Sequence, residues 1–429
     1  MELTLHGACL IDAPRETVDI GVAAGRIVAI RPGLAPGERS VTVGGRLVIP
    51  GFCESHIHLD KACILDRCRM PGGIDGAIAE VSELKRAFTE EDVAHRASRA
   101  LRKCVLNGTT RMRTHVEVDP TIGMRGFDGV RAAIRDWAAA IDVEICVFPQ
   151  EGLIGSPETD ALLVEGLERG ARVIGAAPYT DRDPLGQIDR IFELAEAYDA
   201  DIDMHLDFGP TAEGLTIEHV CRRTEETGWG GRVAVGHVTR FARLLRPDFA
   251  VLTRRLQEAG VAVTVLPATD LFMMHSTHAA DCDPPRGVTP VHLMAAEGVT
   301  CSLSTNNMLN PFTPFGDGSL VRMANLYANI AQLGDAEGMA GCFEMVTGGA
   351  ARLMNLGDYG IAVGAPADLV VLDARNAADA VAELAPPLWG FKDGRPIFTR
   401  APPELHLTVP TRAPGRPHHD AGDLERRPP

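Results

Sequence analysis

Apolar positions along the chain fall into short unbroken runs, separated by longer stretches in which apolar residues recur every three or four positions. The runs are FCESHIH (52–58), TTRMRTHV (109–116), VEICVF (143–148), VIGAA (173–177), DIDMH (201–205), VAVGH (233–237), VAVTVL (261–266) and TCSLST (300–305). Runs of this length, rich in Val, Ile and Thr, read as strands buried on both faces. Between them lie EEDVAHRASRALRKCVLNG (90–108), LLVEGLERG (162–170) and LGQIDRIFELAEAYDA (185–200). Their helical spacing, with Gly or Asn near the ends, reads as amphipathic helix. Eight strand and helix units spread over about 250 residues predict an α/β fold, a (β/α)8 TIM barrel over residues 51–359.

The flanks have a different texture. LTLHGACLI, IGVAAGRIVAIRP and RSVTVGGRLVIPG before the barrel, and GIAVGAPADLVVLDA and WGFKDGRPIFTR after it, are short strands punctuated by Gly-rich turns. The echo of AGRIVAI in DGRPIFT predicts that residues 1–50 and 360–405 pair into one small β-sandwich domain. Residues 411–429, polar and Pro-rich and carrying His418 and His419, read as a mobile tail.

Composition narrows the partners. The formal net charge of −16 argues against a surface that neutralises phosphates, so nucleic acid is not expected. The ten cysteines are scattered, several inside strand-like runs and none in a CxxC pair, which reads as buried thiols of a reducing compartment. The N-terminus lacks a basic segment before an apolar core, and no apolar run approaches the roughly 20 residues that span a bilayer. A cytoplasmic protein with no membrane partner is the expectation; a homo-oligomer is left open.

Barrel enzymes build their sites where the strands end. The first run ends in His56-Ile57-His58, and residues two apart on a strand point to one side. The fifth ends at His205 and the sixth at His237, so four histidines from three strands converge on one mouth. Neutral imidazoles suit Zn²⁺ or Fe²⁺, and three nitrogen ligands with an open position form a catalytic arrangement.

The motifs PGFCESHIHLDK (50–61), RTHVEVD (113–119), FPQEG (148–152), DMHLD (203–207), GHVT (236–239) and PFTPFG (311–316) resemble the amidohydrolase superfamily, and within it the branch of cytosine deaminase and N-isopropylammelide hydrolase. The resemblance covers nearly the whole chain. It implies one divalent metal ion, Zn or Fe, held by His56, His58 and His205 with a water at the open position. It implies that His237 polarises the water or the substrate. Gln150 would read the amide edge of a heterocyclic substrate, because a carboxamide offers both a donor and an acceptor. The strand-four loop, IGAAPYTD, offers no lysine to bridge a second metal.

Two departures alter the expected chemistry. Where cytosine deaminase has His-Cys-Asp-Glu, with a proton-shuttling glutamate, this chain has His205-Leu206-Asp207-Phe208. The strand-eight aspartate, a ligand and base across the superfamily, aligns with Asn306, and Asn307 follows it. An amide cannot take a proton from water at neutral pH. Candidates for delivering a proton to the leaving nitrogen are then Asp207, His237 and Lys61, followed by Asp60 and Asp181. Phe208, Asn306 and Asn307 are expected to face the substrate. Phe272 and Met273 suit pocket walls within a segment (271–285) that also carries His275 and His278. Glu117 and Asp119 either line the pocket or solvate its rim.

Three readings stand at this point. The first is a hydrolase that cleaves a C–N bond of a small N-heterocycle or cyclic amide. The second is a metal enzyme for hydration or elimination, and the third is a binding homologue without turnover.

Overall fold

The computed structural model describes residues 1–70, 72–274, 287–401 and 403–406; the expected tail (411–429), His275 and His278 lie outside the described residues. The chain opens with β1 (Leu3–Leu10), β2 (Ala13–Ala23), β3 (Arg26–Arg31) and β4 (Arg39–Thr42), a sheet in the order β3-β2-β1-β4. After β5 (Val48–Ile49) come eight parallel strands: β6 (Phe52–Ile57), β7 (Thr109–Glu117), β8 (Asp142–Phe148), β9 (Val173–Ile174), β10 (Asp201–Leu206), β11 (Val233–His237), β12 (Val261–Val265) and β13 (Cys301–Leu303). They follow chain order around one sheet, as a (β/α)8 barrel requires. The chain then returns through β14 (Leu369–Leu372), β15 (Pro387–Lys392) and β16 (Arg395–Thr399) to a second small sheet, β16-β15-β14-β5.

That last pairing ties the two ends of the chain together. Val370 faces Ile49 and Val371 faces Val48 in antiparallel register. Leu3, Leu5, Ile20 and Val22 of the first sheet share one core with Val48, Leu369, Val371 and Phe391 of the second, which makes a β-sandwich beside the barrel.

Each of the eight apolar runs contains a barrel strand, but the fourth and eighth are shorter than expected. Beyond Ile174 the chain still tracks its neighbours: Gly175 N donates to Val147 O at 2.8 Å, and His205 N to Ala176 O at 2.8 Å. Gly175 is required there, since a Cβ would stand 2.6 Å from Asp203 O. Regular pairing of β13 stops at Leu303, because the chain must then swing across to close the barrel. Closure is made by Asn306, whose N donates to His56 O and whose O accepts from His58 N, each at 2.9 Å.

Several helices pack their apolar faces against the barrel strands. The one over Glu90–Leu106 buries Val93, Ala97, Leu101 and Cys104 and is capped by Thr89 accepting from Asp92 N. Those over Pro157–Glu168 and Pro184–Tyr198 begin with Pro at the first helical position, after Ser156 and Asp183 caps. No described helix is long and apolar enough to cross a membrane.

Candidate metal centre and substrate pocket

His56 lies in β6, His58 one residue past its end, His205 in β10 and His237 at the last position of β11. The alternation of the strand turns both His56 and His58 inward. Nε2 of His205 stands 3.1 Å from Nε2 of His56 and 3.0 Å from Nε2 of His58, and all three rings are buried. Burial, reinforced by His115, pushes the His56 imidazole down to about 3. Burial also holds His58 and His205 well below the ordinary histidine range, with Lys61 adding to it at His58 and His56 at His205. His205 Nε2 thus lies between two other imidazole nitrogens, and His56, His205 and His237 offer ring nitrogens within 4.8 Å of one another. Three nitrogens that cannot all donate to one another are satisfied together by a shared cation, so this donor set fits Zn²⁺ or Fe²⁺.

Asn306 completes the rim. It adopts the left-handed backbone (φ 61°), as does His237 (φ 69°), and its peptide is fixed between His56 and His58. Nδ2 of its side chain lies 3.4 Å from His237 Nε2, whereas its buried Oδ1 has no protein partner. Asn307 turns elsewhere: its Oδ1 accepts from Asn310 Nδ2 at 2.7 Å.

A second group of side chains forms the head of the pocket. Lys61 Nζ donates to Glu117 Oε2 at 3.1 Å and to Gln150 Oε1 at 3.3 Å, with the rings of Phe148 and Phe312 about it. Beneath it Glu117, Asp119 and Glu151 surround the buried ammonium of Lys85. Burial opposes ionisation of Glu117, but Lys61 and Lys85 outweigh it and bring its carboxyl down to about 2. Glu117 and Asp119 are thus buried parts of an ion network rather than solvated rim groups. On the other side Phe148 stacks on His205 with ring centroids 4.7 Å apart, and Phe208 meets His237 edge-on at 5.2 Å.

The remaining proton-carrier candidates are occupied elsewhere. Asp207 Oδ1 accepts from Thr216 N (2.8 Å) and Thr216 Oγ1 (2.9 Å), and its Oδ2 from Ile217 N (3.2 Å), at the start of the helix Ile217–Thr227. Asp60 accepts from the backbone N–H of Lys61 and of Glu117. Asp181 accepts from Leu153 N, Ile154 N and Gln187 Nε2.

Residues 74–398 match the model of the amidohydrolase family. The chain belongs to that family. Among curated relatives, N-isopropylammelide isopropyl amidohydrolase of Pseudomonas sp. (strain ADP) is 28% identical over 390 residues, which is 88% of this chain and 93% of the relative. Pterin deaminase of Rhizobium rhizogenes is 30% identical over 366 residues, 83% of this chain and 82% of the relative. Among solved structures, 5-methylcytosine deaminase from Klebsiella pneumoniae liganded with 5-fluorocytosine superposes with a TM-score of 0.88 at 26% identity, covering 94% of this chain and 99% of that one.

Around the family's barrel mouth the structure adds residues that sequence reasoning missed. His115, in β7, stacks on His56 with ring centroids 3.7 Å apart. Asp203, also buried, lies 3.6 Å from His56 Nδ1 and 3.0 Å from Arg113 Nη1, so it backs the inward-facing His56 ring. Its carboxyl stays well below the usual range despite burial, because His115 and Arg113 oppose that burial. Asp203 shares the inward face with His205 two residues on, which is the signal that would have found it. Asp270, in the helix Pro267–Met273, had no such signal. A groove of about 650 Å³ runs between Phe241, Phe249, Leu293 and Tyr327 and includes none of these groups.

Proposed function

We propose that this chain is a metal-dependent hydrolase that cleaves a C–N bond of a small N-heterocycle or cyclic amide, with Asn306 in the position of the usual aspartate. The observation that carries the reading is the approach of His205 Nε2 to the Nε2 atoms of both His56 and His58, together with an Asn306 Oδ1 that has no partner among the described residues. Those three histidines would hold one Zn²⁺ or Fe²⁺. When bound, such an ion lowers the pKa of water to about 7 and polarises a carbonyl or amidine carbon.

The other residues divide the work of binding and proton movement. Phe148, Phe208 and Phe312 supply flat apolar walls for a planar ring. Lys61 fixes Gln150 by occupying its carbonyl oxygen, which leaves the amide N–H bonds to donate toward acceptors on the ring. His237 is the proton carrier in this reading, with its Nδ1 held by Asp270 at 2.6 Å. Asp207 holds the strand-five loop on the following helix, and Asn307 shapes the strand-eight loop through Asn310.

The relatives act on an ammelide, a pterin and a methylated cytosine by their names, so triazines, pterins and pyrimidines are the first substrates to test. Purified protein would be analysed for metal and then screened for ammonia or amine release from these three classes. Turnover with about one metal per chain supports the proposal. A metal-loaded protein that converts such rings without releasing ammonia or amine would replace hydrolysis by hydration or elimination.

A further inference from the structure

Asp270 is fully buried, and neither the sequence motifs nor the metal ligand set uses it. Its Oδ2 accepts from Leu266 N at 3.0 Å, and its Oδ1 lies 2.6 Å from His237 Nδ1. An ionised carboxylate only accepts, so the Nδ1 facing it carries a proton, and in that Nδ1–H tautomer Nε2 keeps a lone pair. The atom facing that lone pair, at 3.4 Å, is Asn306 Nδ2, which only donates. Rotating the amide by half a turn would set Oδ1 against the same lone pair, acceptor against acceptor. With Nδ2 engaged and the backbone held between His56 and His58, the buried Oδ1 is left without a protein partner.

We propose that Asp270 is a positioning residue: through the tautomer of His237 it fixes the Asn306 amide so that Oδ1 is presented to the metal held by His56, His58 and His205. The two side chains possible at position 306 differ in symmetry. A carboxylate has two equivalent oxygens and serves as a ligand whichever way it is turned. An amide has one oxygen, so it serves only if a neighbour decides its orientation. A chain with Asn at this position therefore depends on Asp270 in a way that a chain with Asp does not. The inference rests on the metal-centre reading proposed above.

Asp270→Asn inverts the relay without changing its shape. Leu266 N–H claims the single oxygen of the new amide, so its NH2 faces His237 Nδ1. The imidazole proton then moves to Nε2 and donates to Asn306 Oδ1, turning that oxygen away from the metal. Two measurements read this. In metal-free protein labelled with ¹⁵N-histidine, with the His237 signals assigned by their loss in His237→Gln, the unaltered chain should show the Nδ1–H tautomer and Asp270→Asn the Nε2–H tautomer. Zinc affinity, measured by competition with a chromophoric chelator, should fall about tenfold or more in Asp270→Asn, the scale seen when a ligand's outer partner is lost. In the Asn306→Asp background the same substitution should change zinc affinity by less than about threefold, because the carboxylate accepts from Nε2–H and keeps its other oxygen for the metal.

An Nε2–H tautomer in the unaltered protein would overturn the proposal, and this holds even where Asp270→Asn fails to fold. So would unchanged zinc affinity in Asp270→Asn, or an equal loss in both backgrounds. Failure of the unaltered protein to bind zinc or iron at all would instead remove the metal-centre reading, and the two failures are thereby told apart.

Discussion

Lys61 Nζ lies 3.1 Å from Glu117 Oε2 and 3.3 Å from Gln150 Oε1, so the ammonium of one barrel loop is anchored by an acid from the second strand and in turn anchors an amide from the third. Two of its three N–H bonds are engaged within the protein. The third has no partner among the described residues, and in the proposed function it meets a substrate oxygen or ring nitrogen. Lys61→Met should remove that contact and release Gln150, while Lys85 continues to neutralise Glu117. A hydrogen bond from a charged donor contributes about 1.5–3 kcal/mol, which corresponds to a fall of roughly 10- to 150-fold in kcat/KM. Most of it should appear in KM if Lys61 binds and orients. A fall confined to kcat would mark it as a proton donor instead.

The Glu117 carboxyl gives stability a sign in acid. Its folded value, about 2, lies below the ordinary 4.5 because Lys61 and Lys85 outweigh burial. A depressed carboxyl contributes stability above its unfolded pKa and loses it as pH falls through the folded value. The loss from this group should therefore run from about pH 4.5 down to about 2 and amount to roughly 3 kcal/mol. Urea unfolding of the unaltered chain and of Glu117→Gln across that window reads it directly. The gap in stability between them should narrow as the pH is lowered; a gap independent of pH would mean that the carboxylate is not stabilised by its two lysines.

Much of this arrangement is legible in the chain itself, for identifiable reasons. Parallel strands buried on both faces are rich in apolar and β-branched residues, so all eight can be read from the chain, and the alternation of side chains places His56 and His58 on one side. Strand lengths are less legible. The pairing of β9 ends early at Gly175, which is set by the approach of Asp203 O from the neighbouring strand. The His237–Asp270 contact joins a strand end to a helix 33 residues later, and no local spacing encodes it. Asp207 illustrates the opposite limit. Its position two residues after His205 is read from the chain, whereas the direction of its carboxylate, toward Thr216 and Ile217, goes with a left-handed backbone (φ 46°) that no spacing encodes.

Asp207→Asn separates those two roles. Asn tolerates the left-handed backbone and keeps one acceptor, so the loop should persist with a loss of about 1 kcal/mol from weakened helix capping. In the proposed mechanism turnover stays within a few-fold of the unaltered chain once the protein is folded. A loss of kcat of a hundredfold or more, with an unchanged thermal midpoint, would return Asp207 to the reaction as a proton carrier.

The sharpest test of the neutral site is Asn306→Asp. The peptide at position 306 is held by His56 and His58, so the new carboxylate would start from the place of the amide, whose Nδ2 lies 3.4 Å from His237 Nε2. A negative charge there should strengthen zinc binding, by about tenfold or more, because an anionic oxygen replaces a neutral one among otherwise neutral ligands. It should also favour a proton on His237 Nε2, which would then stand between two acids. If His237 carries the proton of the reaction as the free base, the acidic limb of the kcat/KM profile should then move to higher pH. If the native reaction needs an uncharged neighbour, turnover on the native substrate should fall while zinc binding rises. Zinc affinity and the acidic limb both unchanged would show that position 306 faces neither the metal nor His237, and the reading of Asn306 as a neutral ligand would fall with it.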